Sequence, residues 1–337
     1  MTGITQRWYT VTVDTEEEWD WSSGYSTQSR DVSNIHALER FSEACVSHGV
    51  PVTYFTNHTV LSQPETRAVI QRLHASGMAE IGLHIHPWNT PPLAQRIAVP
   101  CRDSFLANLP RDEAIAKLDT VYEAFEESAL PVPTSYRGGR YSTSPWIQEY
   151  LVHRGCIADA SILPYTTWCD DGAPDFRDRS PRPVRRYMQG WPAALWEIPL
   201  TMGFTRLPWN RWRWLYRWGE QTPWRQLRLI GIAERLFIRR VWINLEHELG
   251  ERAADLLRVI RHTDLQHVNI TLHSSSLKLG CSPYATHNDD IERLYRRLDE
   301  ILTLLQEWPE FKPVVVSDLA KNLERIYDAS IGNKSTR

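Results

Sequence analysis

Short apolar segments typical of β-strands alternate with amphipathic, helix-like segments along this 337-residue chain. β-Branched and aromatic composition predicts strands at residues 8–13, 50–55, 79–84, 134–136, 155–158, 196–200, 268–272 and 313–316. Apolar residues spaced three and four apart predict helices at residues 34–48, 64–75, 111–129, 146–153 and 288–308. Regular alternation of the two kinds of segment is typical of an α/β fold with a mostly parallel sheet or barrel.

Chemically reactive side chains directly follow the apolar run of five predicted strands. They are Asp14 and Glu16, His84 and His86, Arg137, Asp159, and His273. In parallel α/β folds the carboxyl ends of the strands form one face of the molecule, and functional sites are built there. We therefore expect these side chains to converge on one site.

Composition narrows the class of protein. The formal net charge of −3 gives no general attraction to nucleic acid, so we predict no nucleic-acid partner. The cysteines are odd in number and show no Cys-x-x-Cys spacing, which favours reduced thiols at Cys45, Cys101, Cys156, Cys169 and Cys281. The N-terminus has no secretory signal pattern, and no stretch approaches the ~18 apolar residues of a membrane span. A cytoplasmic protein is the resulting prediction.

Two carboxylates and two imidazoles predict a metal site. Residues two apart on a strand point to the same side, so Asp14 with Glu16 and His84 with His86 each face one pocket. The His-x-His pair alone is a weak signal, but the carboxylates supply the missing donors. Three of the four groups are enough to hold a divalent ion such as zinc, and the fourth can then act as a base.

His273 and Arg137 would complete a hydrolytic set. With an unperturbed pKa of about 6.5, His273 is able to act as a general acid for the leaving group. Arg137 would pair with a catalytic carboxylate and keep it ionised and oriented through its rigid fork of donors.

Each of these residues also has a structural interpretation. Residues 16–18 form a Glu-Glu-Glu run that is compatible with a solvated acidic loop. Residues 137–140 are compatible with a simple turn whose glycines have positive φ. Asp159 would then cap a helix, and His273 would be a structural histidine.

Five ordered motifs resemble the NodB-type polysaccharide deacetylases, also called carbohydrate esterase family 4. They are VTVDTE (residues 11–16), EIGLHIHPW (80–88), YRGGRY (136–141), DASILP (159–164) and LHSSSL (272–277). The likeness is closest to the WalW-like branch associated with surface-polysaccharide and O-antigen gene clusters. It implies a distorted (β/α) barrel with about seven strands, formed by one domain over residues 1–330. It also implies a divalent metal, usually zinc, and removal of an acetyl or formyl group from an N-acylated sugar.

The resemblance implies catalytic roles for four residues. Asp14 matches the catalytic base, and Arg137 matches the arginine that orients it. His273 matches the general acid, and Asp159 lies in the motif whose residues tune that histidine. The candidate substrate-binding residues within the motifs are Trp88, Arg140 and Tyr141.

The implied metal ligands depart from the family pattern. Glu16 stands where the family usually has Asp, and His84 matches the first metal histidine. The usual second motif is His-x-x-x-His, but Trp88 stands four residues after His84. His86 is the only local substitute, so we expect a variant site formed by Glu16, His84 and His86. Loss of the metal, as in some members that act on other amides, is the alternative.

Residues from about 176 to 262 match no motif and predict a mostly helical insertion that is rich in tryptophan and arginine. Between residues 204 and 242 these are Trp209, Trp212, Trp214, Trp218, Trp224, Trp242, Arg206, Arg211, Arg213, Arg217, Arg225, Arg228, Arg235, Arg239 and Arg240, opposed by Glu220 and Glu234. One interpretation is a lid over an anionic glycan or nucleotide sugar. A second is an interfacial helix that contacts a membrane carrying a polyprenyl-linked substrate. The third is a packing element or a homodimer interface.

The leading prediction is therefore a cytoplasmic, metal-dependent N-deacetylase of a surface-polysaccharide pathway, with peripheral contact to the inner face of the membrane as one interpretation of the insertion. A non-catalytic protein of the same fold that binds a glycan or lipid carrier is one alternative. A metal-independent C–N hydrolase that acts on a non-sugar amide is the other. We expect residues 331–337 to be a disordered tail.

Overall fold

A curved sheet forms the centre of the protein in the computed structural model, which describes residues 6–19, 24–168, 172–187, 194–219 and 238–335. The strands are β1 (Arg7–Thr15), β2 (Tyr25–Ser26), β3 (Val52–Thr56), β4 (Ala79–Ile85), β5 (Ala98–Val99), β6 (Ser135–Gly138), β7 (Ala158–Asp159), β8 (Val184–Tyr187), β9 (Ala194–Glu197), β10 (Met202–Phe204), β11 (Arg240–Trp242), β12 (His267–His273) and β13 (Phe311–Pro313). Seven of them are parallel, in the spatial order β12-β1-β3-β4-β6-β7-β9. β8 adds an antiparallel edge strand to β9, and β13 pairs with the start of β1.

An irregular segment closes the sheet. The Ile243 backbone N–H donates to the Thr201 carbonyl at 2.9 Å, and the Thr271 N–H donates to the Ile243 carbonyl at 3.2 Å. The Leu245 N–H in turn donates to the Thr271 carbonyl at 3.0 Å. These bonds join β12 to the chain that follows β9, so the predicted distorted barrel of about seven strands is confirmed.

Helices connect most successive strands of the barrel. They are α1 (Leu38–Ser47), α2 (His58–Ser62), α3 (Pro64–Ala75), α4 (Arg111–Glu127), α5 (Pro145–His153), α6 (Trp209–Gly219), α7 (Ala253–Arg261), α8 (Asn288–Gln306) and α9 (Val316–Ser335). Short 3₁₀ helices cover Ser33–Ala37, Cys101–Ser104, Leu106–Asn108, Gly139–Tyr141, Glu248–Gly250 and Ser274–Leu277. None of the helices in the described ranges combines the length and apolarity that a membrane crossing requires.

Burial of the sheet on both faces explains the apolar and β-branched composition of its strands. All of β3 and residues 8–15 of β1 are buried. α1, α3, α4 and α8 contribute buried side chains to the same core. The predicted site residues lie at the carboxyl ends of the strands. The strand register places Asp14 beside His273 and His84 beside Arg137. The predicted convergence at the carboxyl edge is therefore present.

The insertion differs from the prediction in its described part. Residues 194–197 form β9, a barrel strand, and β10 pairs with β11 as an antiparallel hairpin. The range 176–262 is thus not one mostly helical unit, and α6 is the helix between the two hairpin strands in the described ranges. The strand predicted at residues 196–200 is present at Ala194–Glu197, so this part of the range belongs to the barrel sheet. Of the residues named in the sequence analysis, seven lie outside the described ranges: Cys169, Glu220, Trp224, Arg225, Arg228, Glu234 and Arg235.

The C-terminal region also differs from the prediction. The last strand ends at Pro313, not residue 316, because Val316 begins α9. The Val316 N–H donates to Thr53 Oγ1, and the Ser317 N–H donates to Glu80 Oε2, each at 3.1 Å. Side-chain oxygens from the sheet thus satisfy the first free N–H groups of the helix. α9 continues through Ser335, so residues 331–335 are helical where we expected a disordered tail.

A cluster of polar side chains from β1 and β12 is buried inside the barrel, on the same face of the sheet as Asp14. His267 is fully buried, and its Nε2 lies 3.2 Å from Thr10 Oγ1. Asn269 Nδ2 donates to the same hydroxyl oxygen at 2.9 Å. Burial, helped by the positive charge of Arg137, lowers the pKa of His267 to about 3.

The shifted pKa of His267 is expected to lower the stability of the protein in acid. As the pH falls through 6.5, the unfolded chain gains a proton on His267 that the folded protein does not bind until pH about 3. At about 1.4 kcal/mol per pH unit, the free energy of unfolding should fall by about 2 kcal/mol between about pH 7 and about pH 5 from this residue alone. His267→Gln removes this titration, so urea denaturation should show a correspondingly smaller loss in the variant. An identical pH dependence in both proteins would contradict the prediction.

Candidate active site

Side-chain atoms of Glu16, His84 and His86 meet at the carboxyl end of the sheet. Glu16 Oε2 lies 3.3 Å from His84 Nε2 and 3.1 Å from His86 Nε2. The two Nε2 atoms are 3.2 Å apart. All three residues are buried, and their ligand atoms lie within 4.8 Å of one another. One carboxylate and two imidazoles form a donor set that suits zinc or another divalent first-row ion.

The second nitrogen of each imidazole is held by an acceptor. His84 Nδ1 donates to the Arg137 carbonyl oxygen at 2.7 Å, and His86 Nδ1 donates to Glu17 Oε1 at 2.8 Å. Asn57 Nδ2 donates to the other Glu17 oxygen at 2.5 Å and holds that carboxylate in place. With the protons on Nδ1, both Nε2 atoms are directed at the Glu16 carboxylate, which is the usual arrangement of metal-binding imidazoles.

The acidic run at residues 16–18 is not a solvated loop. Glu16 and Glu17 are buried, and each faces the histidine pair. Glu18 accepts hydrogen bonds from Ser33 Oγ at 2.5 Å and from the Asn34 N–H at 2.8 Å, at the start of a 3₁₀ helix. Glu16 and Glu17 therefore belong to the site and contact the two nitrogens of His86, whereas Glu18 holds the start of the 3₁₀ helix.

The charges around these donors favour a bound cation. Burial lowers the pKa of His86, but the carboxylates of Glu17 and Glu16 outweigh burial and raise it to about 10. Burial raises the pKa of Glu16, but His86 and His273 outweigh burial and hold it well below its usual range. Glu16 is therefore ionised and buried among imidazoles, and a divalent ion can replace the proton that His86 and Glu16 share. The residues fit a divalent metal.

Asp14 is paired with Arg137, as predicted. Arg137 is fully buried, and its Nη1 donates to Asp14 Oδ1 at 2.6 Å and to Thr271 Oγ1 at 3.1 Å. Its Nη2 donates to Thr12 Oγ1 at 3.0 Å. The other Asp14 oxygen, Oδ2, lies 3.8 Å from His273 Nε2. Arg137 thus holds one carboxylate oxygen while the second faces the candidate general acid.

The carboxylate partner of His273 is Glu246. His273 Nδ1 contacts Glu246 Oε1, and the His273 backbone N–H donates to Glu246 Oε2 at 3.1 Å. Burial lowers the pKa of His273, but Glu246 and Glu16 outweigh burial and raise it to about 10. His273 therefore carries a proton near neutral pH and presents Nε2 towards Asp14, as a general acid requires.

The predicted role of Asp159 in tuning His273 is wrong. Asp159 Oδ2 accepts hydrogen bonds from Thr143 Oγ1 at 2.6 Å and Gln148 Nε2 at 2.9 Å, and Oδ1 accepts from the Ser161 N–H at 3.0 Å. These bonds tie the end of β7 to α5 and its preceding loop. Several strand ends carry a carboxylate, and strand pattern alone does not show which one reaches the histidine.

The glycines at residues 138 and 139 are required for close packing, not for positive φ. Gly138 has a φ of −70°, whereas Arg140 and Tyr141 have φ of 50° and 61°. A Cβ atom at Gly139 would lie 2.4 Å from the Ile85 carbonyl oxygen and 2.5 Å from His86 Cδ2. The turn therefore packs directly on the His86 imidazole. Two successive non-glycine residues in the left-handed region mark a strained backbone of the kind found at functional sites.

A cavity of about 320 Å³ opens above the donor cluster, within the size range of small-molecule sites. It is lined by Asp14, Glu16, Trp19, Tyr25, His84, His86, Arg140, Tyr141, Trp168, Trp242, Glu246, His247, His273 and Tyr284. Tyr141 stacks on Trp168 with ring centroids 5.3 Å apart, and Trp242 meets the Tyr141 ring edge-on at 6.2 Å. Arg140 lies between the rings of Tyr25 and Phe105, at 4.7 Å and 4.1 Å. Arg140 and Tyr141 thus line the cavity, as expected of substrate-binding residues.

Trp88 does not line this cavity, so its predicted contact with substrate is wrong. It is 1% exposed, and its ring stacks on His86 with centroids 4.1 Å apart and an interplanar angle of 21°. Trp19 and Tyr25 pack against it at 5.5 Å and 5.2 Å. Trp88 therefore supports the His86 imidazole from behind.

Sequence reasoning missed several residues of the site. Glu246 follows residues 241–245, a mainly apolar run that is interrupted by Asn244, so the strand pattern before it is weak. Glu17 was adjacent to a predicted ligand but had no signal that it orients His86. The other cavity residues that were not predicted as site residues are Trp19, Trp168, His247 and Tyr284 in loops, Tyr25 at the start of β2, and Trp242 at the end of β11.

Neither a protein-family model nor a curated protein sequence matches the chain. Solved structures share its fold. A candidate polysaccharide deacetylase from Mycobacterium smegmatis superposes with a TM-score of 0.56 at 15% identity, covering 97% of this chain and 93% of that one. The allantoinase PuuE superposes with a TM-score of 0.53 at 12% identity, covering 95% of this chain and 91% of that one. A candidate glycoside hydrolase/deacetylase from Parabacteroides distasonis superposes with a TM-score of 0.54 at 10% identity, covering 96% of this chain and 73% of that one. The chain therefore has the fold of the NodB-type deacetylases, as its motifs predicted.

Proposed function

We propose that the protein is a metal-dependent hydrolase that removes an N-acyl group, acetyl or formyl, from a sugar. One observation carries the proposal: three groups of residues converge on a single cavity. These are the donors Glu16, His84 and His86, the pair Asp14–Arg137, and the pair His273–Glu246. A metal site, a base and an acid are the components of metal-assisted amide hydrolysis.

The geometry assigns a step to each residue. Glu16, His84 and His86 would hold the ion, which when bound supplies a Lewis acid for the acyl carbonyl and makes water more acidic. Asp14, fixed through Oδ1 by Arg137, uses Oδ2 to take the proton of the attacking water. His273 donates its Nε2 proton to the sugar nitrogen as the C–N bond breaks. The products are a free amine and acetate or formate.

The cavity walls support a sugar as the substrate. The faces and edges of Tyr141, Trp168 and Trp242 form a large aromatic surface beside the donors, and such surfaces stack on the apolar faces of pyranose rings. Polar groups at the cavity base would fix the orientation of the ring. The place of the reaction in surface-polysaccharide or O-antigen biosynthesis is supported by the motif resemblance.

The experiment uses N-acetylated and N-formylated sugars, offered free, nucleotide-linked and in oligosaccharides. Released acetate, formate and amine are measured with the purified protein, after treatment with a chelator, and after zinc is restored. We expect hydrolysis of at least one of these substrates that is lost on chelation and recovered with zinc. Hydrolysis that persists without metal would favour the metal-independent alternative, and metal binding without any acyl release would favour a glycan-binding protein.

The cysteines support a reducing compartment. Cys45, Cys101, Cys156 and Cys281 are free thiols, and burial raises the pKa of Cys156 to about 12. Buried, protonated thiols are chemically inert and need no oxidising environment. We propose that the protein acts in the cytoplasm.

Glu246→Gln is expected to lower kcat about tenfold and to shift the pH profile. Glutamine keeps an oxygen for His273 Nδ1 but removes the negative charge that raises the pKa of His273. Because His273 then loses its proton at lower pH, the alkaline loss of activity should move down by about one unit. The measurement is kcat against pH in both proteins.

Glu248→Gln is the matched control because Glu248 is an exposed carboxylate on the same segment. It should leave kcat and the pH profile unchanged. A reduced kcat in Glu246→Gln with an unmoved alkaline limb would indicate a merely structural role for Glu246.

A further inference from the structure

α6 presents an exposed face of tryptophan and arginine that the proposed chemistry does not use. Residues 205–219 contain four arginines and no acidic residue. Along the helix, Asn210, Arg211, Trp214 and Arg217 are exposed at spacings of one helical turn. Trp214 is 64% exposed. We call these four residues the α6 face.

The opposite side of α6 is anchored to the protein. Tyr216 is buried with Phe204 and Ile238, and Trp209 packs against this cluster. Trp209 Nε1 also donates to the Phe204 carbonyl at 2.9 Å. The helix therefore has a packed side and an outward side, so the exposure of Trp214 is a consequence of its position on the helix and not of a loose segment.

The anchored side of α6 connects to the active-site cavity. Phe204 belongs to β10, whose partner strand β11 carries Trp242 into the cavity wall. Tyr165 packs against both this hairpin cluster and the apolar cluster beneath Trp168. Tyr165 thus connects the cluster beneath α6 to the cluster that includes the cavity residue Trp242.

We propose that the α6 face binds the surface of an anionic lipid bilayer, and that the substrate sugar is carried on a lipid in that bilayer. Tryptophan prefers the boundary between headgroups and acyl chains, and arginine binds headgroup phosphates. Both residue types occur on a helix that is anchored, through the β10–β11 hairpin and Tyr165, to the cavity wall, and binding there would bring a lipid-carried sugar close to the site. A helix that lies on a membrane in this way needs no membrane-spanning length.

The charge of the α6 face favours lipid over another protein copy or nucleic acid. In a twofold dimer formed through this face, like residues would meet, and the arginines of the two copies would repel each other. The net charge of −3 on the whole chain opposes binding to nucleic acid. Within the described residues, Arg217 is paired with Asp178, whereas Arg211 on the same face has no ion pair.

Vesicle sedimentation tests the membrane contact without any substrate. We expect the protein to bind vesicles of equal parts phosphatidylcholine and phosphatidylglycerol, and to bind phosphatidylcholine alone much more weakly. Trp214→Ala should weaken binding about tenfold through lost burial of the indole. Arg211→Glu should weaken it about thirtyfold, as expected for reversal of one charge near an anionic surface.

Tyr187→Ala is the matched control. Tyr187 is 70% exposed and lies at the end of β8 that pairs with the amino end of β9, opposite the site. Equal binding to both vesicle types, or equal loss in Tyr187→Ala and Trp214→Ala, would overturn the proposal. A wild-type dimer in light scattering that Trp214→Ala converts to a monomer, without vesicle binding, would assign the α6 face to self-association instead.

The lipid-carried substrate rests on the proposed deacetylation and has its own test. The same N-acylated sugar is offered on a water-soluble carrier and on a lipid carrier in anionic vesicles. Trp214→Ala should lower kcat/KM about tenfold for the lipid-carried sugar and leave the soluble one unchanged. Equal kcat/KM of wild type and variant on the lipid-carried sugar would overturn this part. Vesicle binding with no hydrolysis of either substrate would support the membrane contact and refute the deacetylase.

Discussion

Replacing Asp14 with asparagine is expected to lower kcat about 10³-fold, the typical effect of losing a general base. Asp14 Oδ2 is the carboxylate oxygen that faces His273, whereas Oδ1 is held by Arg137. Asparagine fills the same space but cannot take a proton from water. Asp14 is outside the cluster of Glu16, His84 and His86, so elemental analysis should find the same metal content in variant and wild type.

The Asp14→Asn variant should also be less stable, because Arg137 is fully buried. Its guanidinium would keep its hydrogen-bond acceptors but lose its negatively charged partner. Removing one member of a buried ion pair costs about 3 kcal/mol or more, which urea denaturation would detect. The loss of kcat must therefore be measured under conditions where the variant is folded.

Thr271→Val is the control that separates the loss of catalysis from the loss of stability. Thr271 Oγ1 accepts from the same Arg137 nitrogen at 3.1 Å, but it is neutral and carries no catalytic proton. This control should lose about 1 kcal/mol of stability and keep most of its activity. If Asp14→Asn retained a tenth or more of wild-type kcat, Asp14 would not be the base.

Local pattern was sufficient to predict the barrel and most of its polar edge. The barrel strands are largely buried and rich in apolar and β-branched residues, so the strands and the reactive side chains at their carboxyl ends could be recognised from local composition. This is why Asp14, His84 and His273 could be located without coordinates. The closing segment at residues 243–245 is irregular and short, and it follows a region of helical composition. Glu246, the carboxylate partner of His273, was therefore missed.

Two predictions of site residues were wrong because the side chains point away from the cavity, although the residues are close to functional residues in sequence. Trp88 and Asp159 are both adjacent to functional residues in sequence, but their side chains are buried in contacts behind the site. The alternative interpretation of residues 137–140, a simple turn whose glycines have positive φ, is wrong. The close approach to His86 is a long-range contact that only the fold reveals, and the positive φ is carried by Arg140 and Tyr141.

His86 is the candidate ligand that departs most from the pattern of the resembled family, and its replacement should have the second large effect. His86→Phe keeps a ring against Trp88 but removes Nε2, which lies 3.1 Å from Glu16 and 3.2 Å from His84 Nε2. Two donors, Glu16 and His84, would remain. We expect metal affinity to fall by more than about 10²-fold and hydrolysis to fall with it, since loss of an outer-shell partner alone typically costs 10–100-fold.

Trp88→Phe is the control for His86→Phe, because Trp88 occupies the position where the family pattern has its second histidine. It changes only the ring that supports His86 and leaves every donor atom in place. Titration of the chelator-treated proteins with zinc should therefore show near-normal affinity for Trp88→Phe and a large loss for His86→Phe. Unchanged zinc binding and activity in His86→Phe would exclude His86 as a ligand. The convergence of His84 and His86 on Glu16 would then reflect hydrogen bonding alone, and a metal-independent hydrolase would become the better account of the cavity.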